Sequence, residues 1–194
     1  MILLTIFTPA YNRAHTLGRT YESLKKQHCK EFIWLIIDDG SSDRTAQLVE
    51  EWQQEDNGFE IRYIYKENGG MHTAHNVAYE NIDTELNVCI DSDDCLAENA
   101  VENIINKWNE VHDKNYAGII GLDADFQGKI IGKGFPASLY ETTLTEYYAR
   151  GGCGDKKNSI SYRCDKSISS ISGIPLVKKY VALAYKYRLN RSGL

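Results

Sequence analysis

The acidic run Asp91-Ser92-Asp93-Asp94 is the segment of this sequence with the clearest chemical potential, and it directly follows the apolar segment 86–90. Three carboxylates within four residues repel one another, and a bound cation relieves that repulsion. Their hard oxygen atoms favour Mg²⁺ or Mn²⁺, whose remaining ligands are typically phosphate oxygens and water. The alternative is a helix N-terminus, where the macrodipole enriches acids. The dipole accounts for only one or two acids, so we predict a divalent-cation site that holds a phosphate.

A second acidic pair, Asp38-Asp39, follows the apolar segment 35–37. An ionised carboxylate at this point can accept a hydrogen bond from the imide N–H of uracil or from a ribose hydroxyl. The alternative is a pair that caps the next helix. Tyr11 comes just after the first apolar run and offers a flat face on which a base can stack, although a lone tyrosine more often packs in a core.

The dipeptide Gly69-Gly70 precedes a predicted helix and would let the backbone approach a phosphate or a sugar closely. It lacks the spacing of dinucleotide-binding and Walker loops, so alone it is a weak signal. His72 and His75 are three residues apart on the same predicted helix and could in principle share a metal ion. Because no third ligand stands at the spacing of a zinc protease, we predict no metal site there.

The segments around these clusters predict alternating strands and helices. Strands are predicted at 3–8, 32–37, 61–65 and 86–90, and a helix at 71–81. The other helices present apolar faces at helical spacing: Leu17, Tyr21 and Leu24; Leu48, Val49 and Trp52; and Val101, Ile104, Ile105, Trp108 and Val111. This alternation predicts an α/β fold with a Rossmann-like, doubly wound sheet, in which ligands bind beyond the carboxyl ends of the strands. All the clusters described above fall at that edge.

The pattern changes in the C-terminal third. Segments 119–126 and 129–135 flank Gln127-Gly128 and predict an antiparallel hairpin, and 144–150 predicts a short helix. Periodicity is then poor until residues 176–189. We therefore expect an α/β core at 1–125 and a less regular region at 126–194 within the same domain.

Composition narrows the class of protein further. The net charge of −5 is uneven: residues 1–155 contain 13 Lys and Arg against 26 Asp and Glu, whereas 156–194 contain nine against one. The acidic body argues against binding nucleic acid. The basic C-terminal segment either meets an anionic membrane surface or a phosphate-bearing acceptor, or is simply solvated. Five cysteines without Cys-x-x-Cys spacing, and no signal peptide or apolar span, predict a cytoplasmic protein with reduced thiols.

As a set and in this order, the clusters resemble family 2 of the inverting glycosyltransferases, which have the GT-A fold. The resemblance covers roughly residues 2–125. The matching motifs are Thr8-Pro9-Ala10-Tyr11-Asn12, the segment 36–45 around Asp38-Asp39-Gly40, Asn68-Gly69-Gly70 with His75-Asn76, and Asp91-Ser92-Asp93-Asp94. The resemblance implies a mixed GT-A sheet, a nucleotide-sugar donor (a UDP-sugar being favoured), a Mg²⁺ or Mn²⁺ cofactor, and a saccharide or lipid-linked acceptor in the synthesis of bacterial cell-surface polysaccharide or glycolipid.

The resemblance also assigns roles to individual residues. Tyr11 and Asp39 would hold the nucleobase, with Pro9 shaping the loop. Asp91 and Asp93 would face the ribose and the diphosphate, and Asp93 and Asp94 would bind the metal. The remaining positions implied in donor binding are Ala10, Asn12, Lys66, Gly70 and Asn76.

The C-terminal third departs from the family. There the family normally supplies a carboxylate that deprotonates the acceptor hydroxyl, but the corresponding window, 174–184, contains no acid. Asp155, in a glycine-rich loop, is the one candidate base, and a plain surface turn is the alternative interpretation of that loop. The resemblance thus implies sugar transfer with inversion, and two alternatives stay open: a catalytically impaired module that binds nucleotide sugars, and a nucleotidyltransferase.

Overall fold

The computed structural model describes residues 2–112, 116, 118–125, 129, 130, 141–143, 146, 149 and 180–189. The strands are β1 (Leu4–Ala10), β2 (Phe32–Asp38), β3 (Glu60–Tyr65), β4 (Leu86–Cys89), β5 (Asp94–Cys95), β6 (Gly118–Ala124), β7 (Glu141–Thr142) and β8 (Tyr180–Leu189). The helices are α1 (Leu17–Lys25), α2 (Thr45–Gln53), α3 (Met71–Asn81) and α4 (Ala100–Val111). The predicted α/β class and the alternation of strands and helices are confirmed.

The first sheet is parallel and has the strand order β3-β2-β1-β4. Its register aligns the carboxyl ends of the strands, because Ala10 lies opposite Asp38 and Asp38 lies opposite Tyr65. On the other side of β1, Phe7 lies opposite Cys89. The loops that leave β1, β2, β3 and β4 therefore begin at one edge of the sheet, where the sequence predicts the ligand site.

Apolar side chains cover both faces of this sheet. Alternate residues of β2 belong to two separate clusters: Trp34 and Ile36 on one face, Leu35 and Ile37 on the other. The first cluster also contains buried residues of α1, α2 and α4, and the second contains Ala74 and Ala78 of α3. Helices thus lie on both faces of the sheet, as the doubly wound prediction requires.

A second sheet, of mixed direction, has the order β5-β8-β6, with β7 also paired to β8. The pairing of β6 with β8 is parallel, and the pairings of β8 with β5 and β7 are antiparallel. The sequence predicted a hairpin of segments 119–126 and 129–135, the first of which contains most of β6. In the described residues this hairpin shows one antiparallel bridge, between Ala124 and Ile130. The remainder of that hairpin, and most of the helix predicted at 144–150, lie outside the described residues.

The short strand β5 was not predicted from the sequence, and it contains the last residue of the acidic run. β5 begins at Asp94, which lies opposite Leu189 of β8. The last acid of the run is therefore held in a sheet rather than in the first turn of a helix, since α4 begins only at Ala100. In the described part of the chain, no helix is both long and apolar enough to cross a lipid bilayer.

The turn after β2 depends on Gly40, which has a φ of +82°. A Cβ atom at this position would come within 2.7 Å of the backbone nitrogen of Asn68. The loop after β2 and the loop after β3 are thus in direct contact, and a side chain would separate them.

Gly40→Ala should lower the free energy of unfolding by at least about 2 kcal/mol, because the substitution combines an unfavourable φ with a backbone clash. Gly18 in α1 is the matched control, since a Cβ there meets nothing within 4 Å. Gly18→Ala should be neutral or stabilising by up to about 1 kcal/mol. Urea denaturation of both variants measures the difference, and equal effects would contradict this account of the turn.

Candidate functional site

A cleft of about 440 Å³ opens at the carboxyl edge of the parallel sheet. The loop after β1 forms one wall, the loops after β2 and β3 form the second, and the acidic run after β4 forms the third. The lining residues are Pro9, Ala10, Tyr11, Arg13, Asp39, Asn68, Gly70, Met71, Ala74, Asp91, Ser92 and Asp93. Residues far apart in sequence meet here because the strands end in register.

The loop after β1 is fixed to the loop after β2 by Asn12. The Asn12 backbone N–H donates to Ser41 Oγ at 2.8 Å, and Asn12 Oδ1 accepts from the backbone N–H of Ser42 at 2.8 Å. Asn12 has a φ of +54°, a conformation that asparagine tolerates better than most residues. This clamp leaves Tyr11 51% exposed at the cleft, so Tyr11 is not a core residue and its ring is free to stack on a ligand.

Arg13 lies in the same loop and is the cationic side chain among the residues that line the cleft. Its backbone is held firmly: the Arg13 N–H donates to Thr45 Oγ1 at 3.1 Å, and its carbonyl accepts from the N–H groups of Thr16 and Leu17. A guanidinium on so fixed a backbone suits an anionic ligand such as a phosphate.

Asp39 is 4% exposed, and its carboxylate is held by the loop after β3. Oδ1 accepts from Lys66 Nζ and from the Gly69 N–H (3.0 Å), and Oδ2 accepts from the Gly70 N–H (2.8 Å). Burial alone would raise the pKa of Asp39, but these hydrogen bonds and the Lys66 charge outweigh it and hold the pKa below its usual range. Asp39 therefore stays ionised and acts only as an acceptor.

The neighbouring Asp38 is fully buried and has a structural role. Its Oδ1 accepts from the Ser41 N–H at 2.8 Å, and its Oδ2 accepts from the hydroxyl of Tyr63 at 2.6 Å. Burial, and then this bond, raise the pKa of Tyr63. The two members of the acidic pair thus differ: Asp38 closes the turn, and Asp39 reaches the cleft.

The acidic run brings three carboxylates together. One oxygen from each of Asp91, Asp93 and Asp94 lies within 4.8 Å of the others. Ligands about 2.1 Å from a Mg²⁺ ion are separated by at most about 4.2 Å, so small side-chain adjustments suffice to place all three around one ion. Asp94 is 6% exposed, and its backbone carbonyl accepts from Thr20 Oγ1 at 2.8 Å, which ties the run to α1. The hard donor set and the spacing fit a divalent cation.

His75, from the motif His75-Asn76, faces the interior rather than a metal site. Its ring packs edge-on against Phe7, and its Nε2 lies 3.9 Å from Cys89 Sγ. Burial lowers the pKa of His75, and the charge of Asp91 partly opposes that shift. His72 is exposed on α3.

The structure places seven of the predicted site residues in the cleft lining: Pro9, Ala10, Tyr11, Asp39, Gly70, Asp91 and Asp93. Four other predicted site residues do not line the cleft. Asn12 clamps the loop, Lys66 holds Asp39, Asp94 lies buried in β5, and Asn76 is exposed on α3. Asp155 lies outside the described residues.

Sequence reasoning assigned no role to Arg13, Met71, Ala74 or Ser92, all of which line the cleft. The position of Arg13, directly after the Tyr11-Asn12 motif, was a usable signal. Met71 is 63% exposed although it is apolar, but that exposure is visible only once the helix is placed. Chemically, the lining offers a stacking face, an ionised acceptor, a cation and a carboxylate cluster, which together suit a nucleoside diphosphate.

Residues 5–149 match the model of the family described as glycosyl transferase family 2, so the chain belongs to this family. The chain is thus a glycosyltransferase by family, and the resemblance found in the sequence is confirmed.

Individual proteins agree with this membership. The chain is 35% identical over 107 residues, 55% of its length, to the teichoic acid poly(glycerol phosphate) polymerase of Staphylococcus epidermidis, of which the match covers 15%. The chain spans 15% of the length of that relative, and 54% of the length of the glycosyltransferase GlyG of Streptococcus pneumoniae, to which it is 27% identical.

Two solved structures share the fold. The match to S. aureus TarS 1–349 in complex with UDP-GlcNAc covers 99% of this chain and 60% of the TarS chain, with a TM-score of 0.71 and 21% identity. The mannosyltransferase of Pyrobaculum calidifontis in complex with GDP-Man and Mn²⁺ matches 62% of this chain and 35% of its own, with a TM-score of 0.56 and 19% identity. At these identities the likeness shows the GT-A fold alone.

The lowered pKa of Asp39 makes a prediction about stability and pH. Asp39→Asn should lower the free energy of unfolding by about 1–3 kcal/mol at pH 7, because charge-assisted bonds become neutral ones. A carboxylate with a depressed folded-state pKa stabilises the protein above its unfolded pKa of about 3.9. The difference between the two proteins should therefore be constant above about pH 5 and shrink as the pH falls below about 4. Urea denaturation between pH 3 and pH 7 measures it, and a difference independent of pH would contradict the charged network.

Proposed function

We propose that this chain binds a uridine diphosphate sugar together with Mg²⁺ or Mn²⁺ and transfers the sugar, with inversion, to an acceptor hydroxyl. The observation that carries the proposal is the meeting of Tyr11, Asp39 and the acidic run in one cleft at the edge of the parallel sheet. The TarS structure, of the same fold, contains UDP-GlcNAc, which supports a uridine nucleotide as the donor.

The base would lie between the ring of Tyr11 and the carboxylate of Asp39. Because Asp39 is ionised and can only accept, it selects a base that presents an N–H, and the imide N–H of uracil fits this requirement. Pro9 and Ala10 shape the wall beside Tyr11. Stacking supplies area, and the single charge-assisted bond supplies selectivity.

The diphosphate would lie between Arg13 and the acidic run. Asp91 and Asp93 are half-buried in the lining and would face the ribose and the diphosphate, and Asp93 and Asp94 would hold the cation. When bound, the cation neutralises charge that develops on the departing diphosphate. The Arg13 guanidinium, on the opposite wall, can also stabilise the charge that develops on the diphosphate. Gly70 has no side chain and therefore leaves room for the sugar to approach the start of α3.

The acceptor proton needs a base, and Asp155 is the candidate that the sequence offers. A saccharide or lipid-linked acceptor, as in the synthesis of bacterial surface polymers, agrees with the similarity to a teichoic acid polymerase. One observation favours a second function: the window 174–184 contains no carboxylate. The chain is then a module that binds the nucleotide sugar and transfers it slowly.

Metal-dependent nucleotide binding is the first test. In a thermal-shift experiment, UDP at about 100 times its dissociation constant should stabilise the protein by about 2.7 kcal/mol, and only with Mn²⁺ or Mg²⁺ present. Asp94→Asn should abolish the metal dependence. UDP should also stabilise the protein more than GDP does, if the base is read by Asp39.

Asp56→Asn is the matched control, because Asp56 is an exposed acid in the segment before β3, at the opposite edge of the sheet. It should respond to UDP and metal as the unaltered protein does. Equal stabilisation by UDP in excess chelator would refute the metal site, and equal stabilisation by GDP would refute the uracil assignment.

Turnover is the second test. General-base catalysis typically contributes about 10²–10⁴-fold, so a chain without the usual base should bind the donor and release UDP very slowly. We expect little UDP release with a panel of sugar and lipid-phosphate acceptors, and a further loss in Asp155→Asn if that residue is the base. Rapid transfer that survives Asp155→Asn would contradict both the slow-transfer prediction and the role of Asp155.

A further inference from the structure

Lys66 follows β3 and is committed to contacts within the protein. Its Nζ donates to Asp39 Oδ1 and to the backbone carbonyl of Glu67. The Lys66 side chain is only 18% exposed, and Lys66 is not among the residues that line the cleft. The loop packs closely around this amine, since a Cβ at Gly69 would lie 3.2 Å from Lys66 Nζ.

The hydrogen bonds divide the two oxygens of Asp39 unequally. Oδ1 accepts two, from Lys66 Nζ and the Gly69 N–H, whereas Oδ2 accepts one, from the Gly70 N–H. A carboxylate oxygen has two acceptor positions. Among these contacts Oδ1 is therefore saturated, and the remaining acceptor position of Asp39 is on Oδ2.

We propose that Lys66 is a positioning residue, which orients Asp39 for recognition of the base and does not itself touch the donor. By saturating Oδ1, the amine and the Gly69 N–H fix the rotation of the carboxylate and leave Oδ2 to read an N–H of the ligand. This inference rests on the proposed function, because it assumes that a nucleotide occupies the cleft.

A direct contact between Lys66 and the diphosphate is the competing assignment. It requires Nζ to leave Asp39, whose carboxylate is 5% exposed. Separating a buried carboxylate from its only ion-pair partner in the described residues is costly. Arg13 already lines the cleft as a cation, so the anionic part of the ligand has a partner without that rearrangement.

A double-mutant cycle separates the two assignments. Binding of UDP with Mn²⁺ is measured by calorimetry for the unaltered protein, Lys66→Met, Asp39→Ala and the double variant. Each single substitution should weaken UDP about 10-fold or more, and the double variant should bind no more weakly than Asp39→Ala. Uridine should lose the same factor as UDP in Lys66→Met, because the effect lies at the base.

Two further variants distinguish a loss of the Lys66 contact from a general loss of folded protein. Lys66→Arg keeps a cation that can donate to Asp39, and it should recover most of the UDP affinity. Lys26→Met removes an exposed lysine at the end of α1 and should leave UDP binding unchanged. Thermal melting of every variant without ligand confirms that the compared proteins are folded, and Lys66→Gln replaces Lys66→Met if that variant is not.

Additive losses in the double variant, or a loss for UDP much larger than the loss for uridine, would overturn the inference, because either result means that Lys66 contacts the phosphates. Failure of the unaltered protein to bind UDP with Mn²⁺ would overturn the proposed function and this inference with it. The two failures are thus distinguishable in one data set.

Discussion

The buried carboxylate of Asp39 is the constraint on which the geometry of the cleft depends. A charge at the end of a fully buried strand is tolerable only when donors surround it. Those donors come from Lys66, Gly69 and Gly70, so the loop after β3 must lie against the end of β2. That same contact sets the start of α3 and forces a glycine at position 40.

The remaining walls follow from the parallel register. Because β1, β2 and β3 end in register and β4 ends beside β1, opposite Phe7, the loop clamped by Asn12 faces the acidic run across the cleft. The backbone hydrogen bonds that fix these loops are made within the protein and leave the side chains of Tyr11, Arg13 and Asp93 at the cleft. A site arranged before the ligand arrives loses less entropy on binding, which is the advantage of placing it on sheet ends.

Structural features that depend on a single segment could be predicted from the sequence, whereas contacts between segments far apart in the chain could not. The helix predicted at 71–81 matches the bounds of α3, and the predicted strand ends located Asp39 and Asp91 at one edge. The pairing of β5 with β8 joins residues more than 90 positions apart, and a two-residue strand has no period to detect. The contact of Lys66 with Asp39 depends on how two loops pack. The family resemblance implied a role for Lys66 in donor binding but did not indicate this contact.

The central claim is that the acidic run binds one end of a nucleotide and that Tyr11 and Asp39, on two walls of the cleft, bind the other end. A crystal structure of the protein grown with UDP and Mn²⁺ tests it most directly. We predict one Mn²⁺ bound by Asp93 and Asp94 and by the diphosphate. The uracil ring should lie against Tyr11, with its imide nitrogen within about 3.0 Å of Asp39 Oδ2. Mn²⁺ bound away from the acidic run, or a uracil ring that does not lie between Tyr11 and Asp39, would contradict the account.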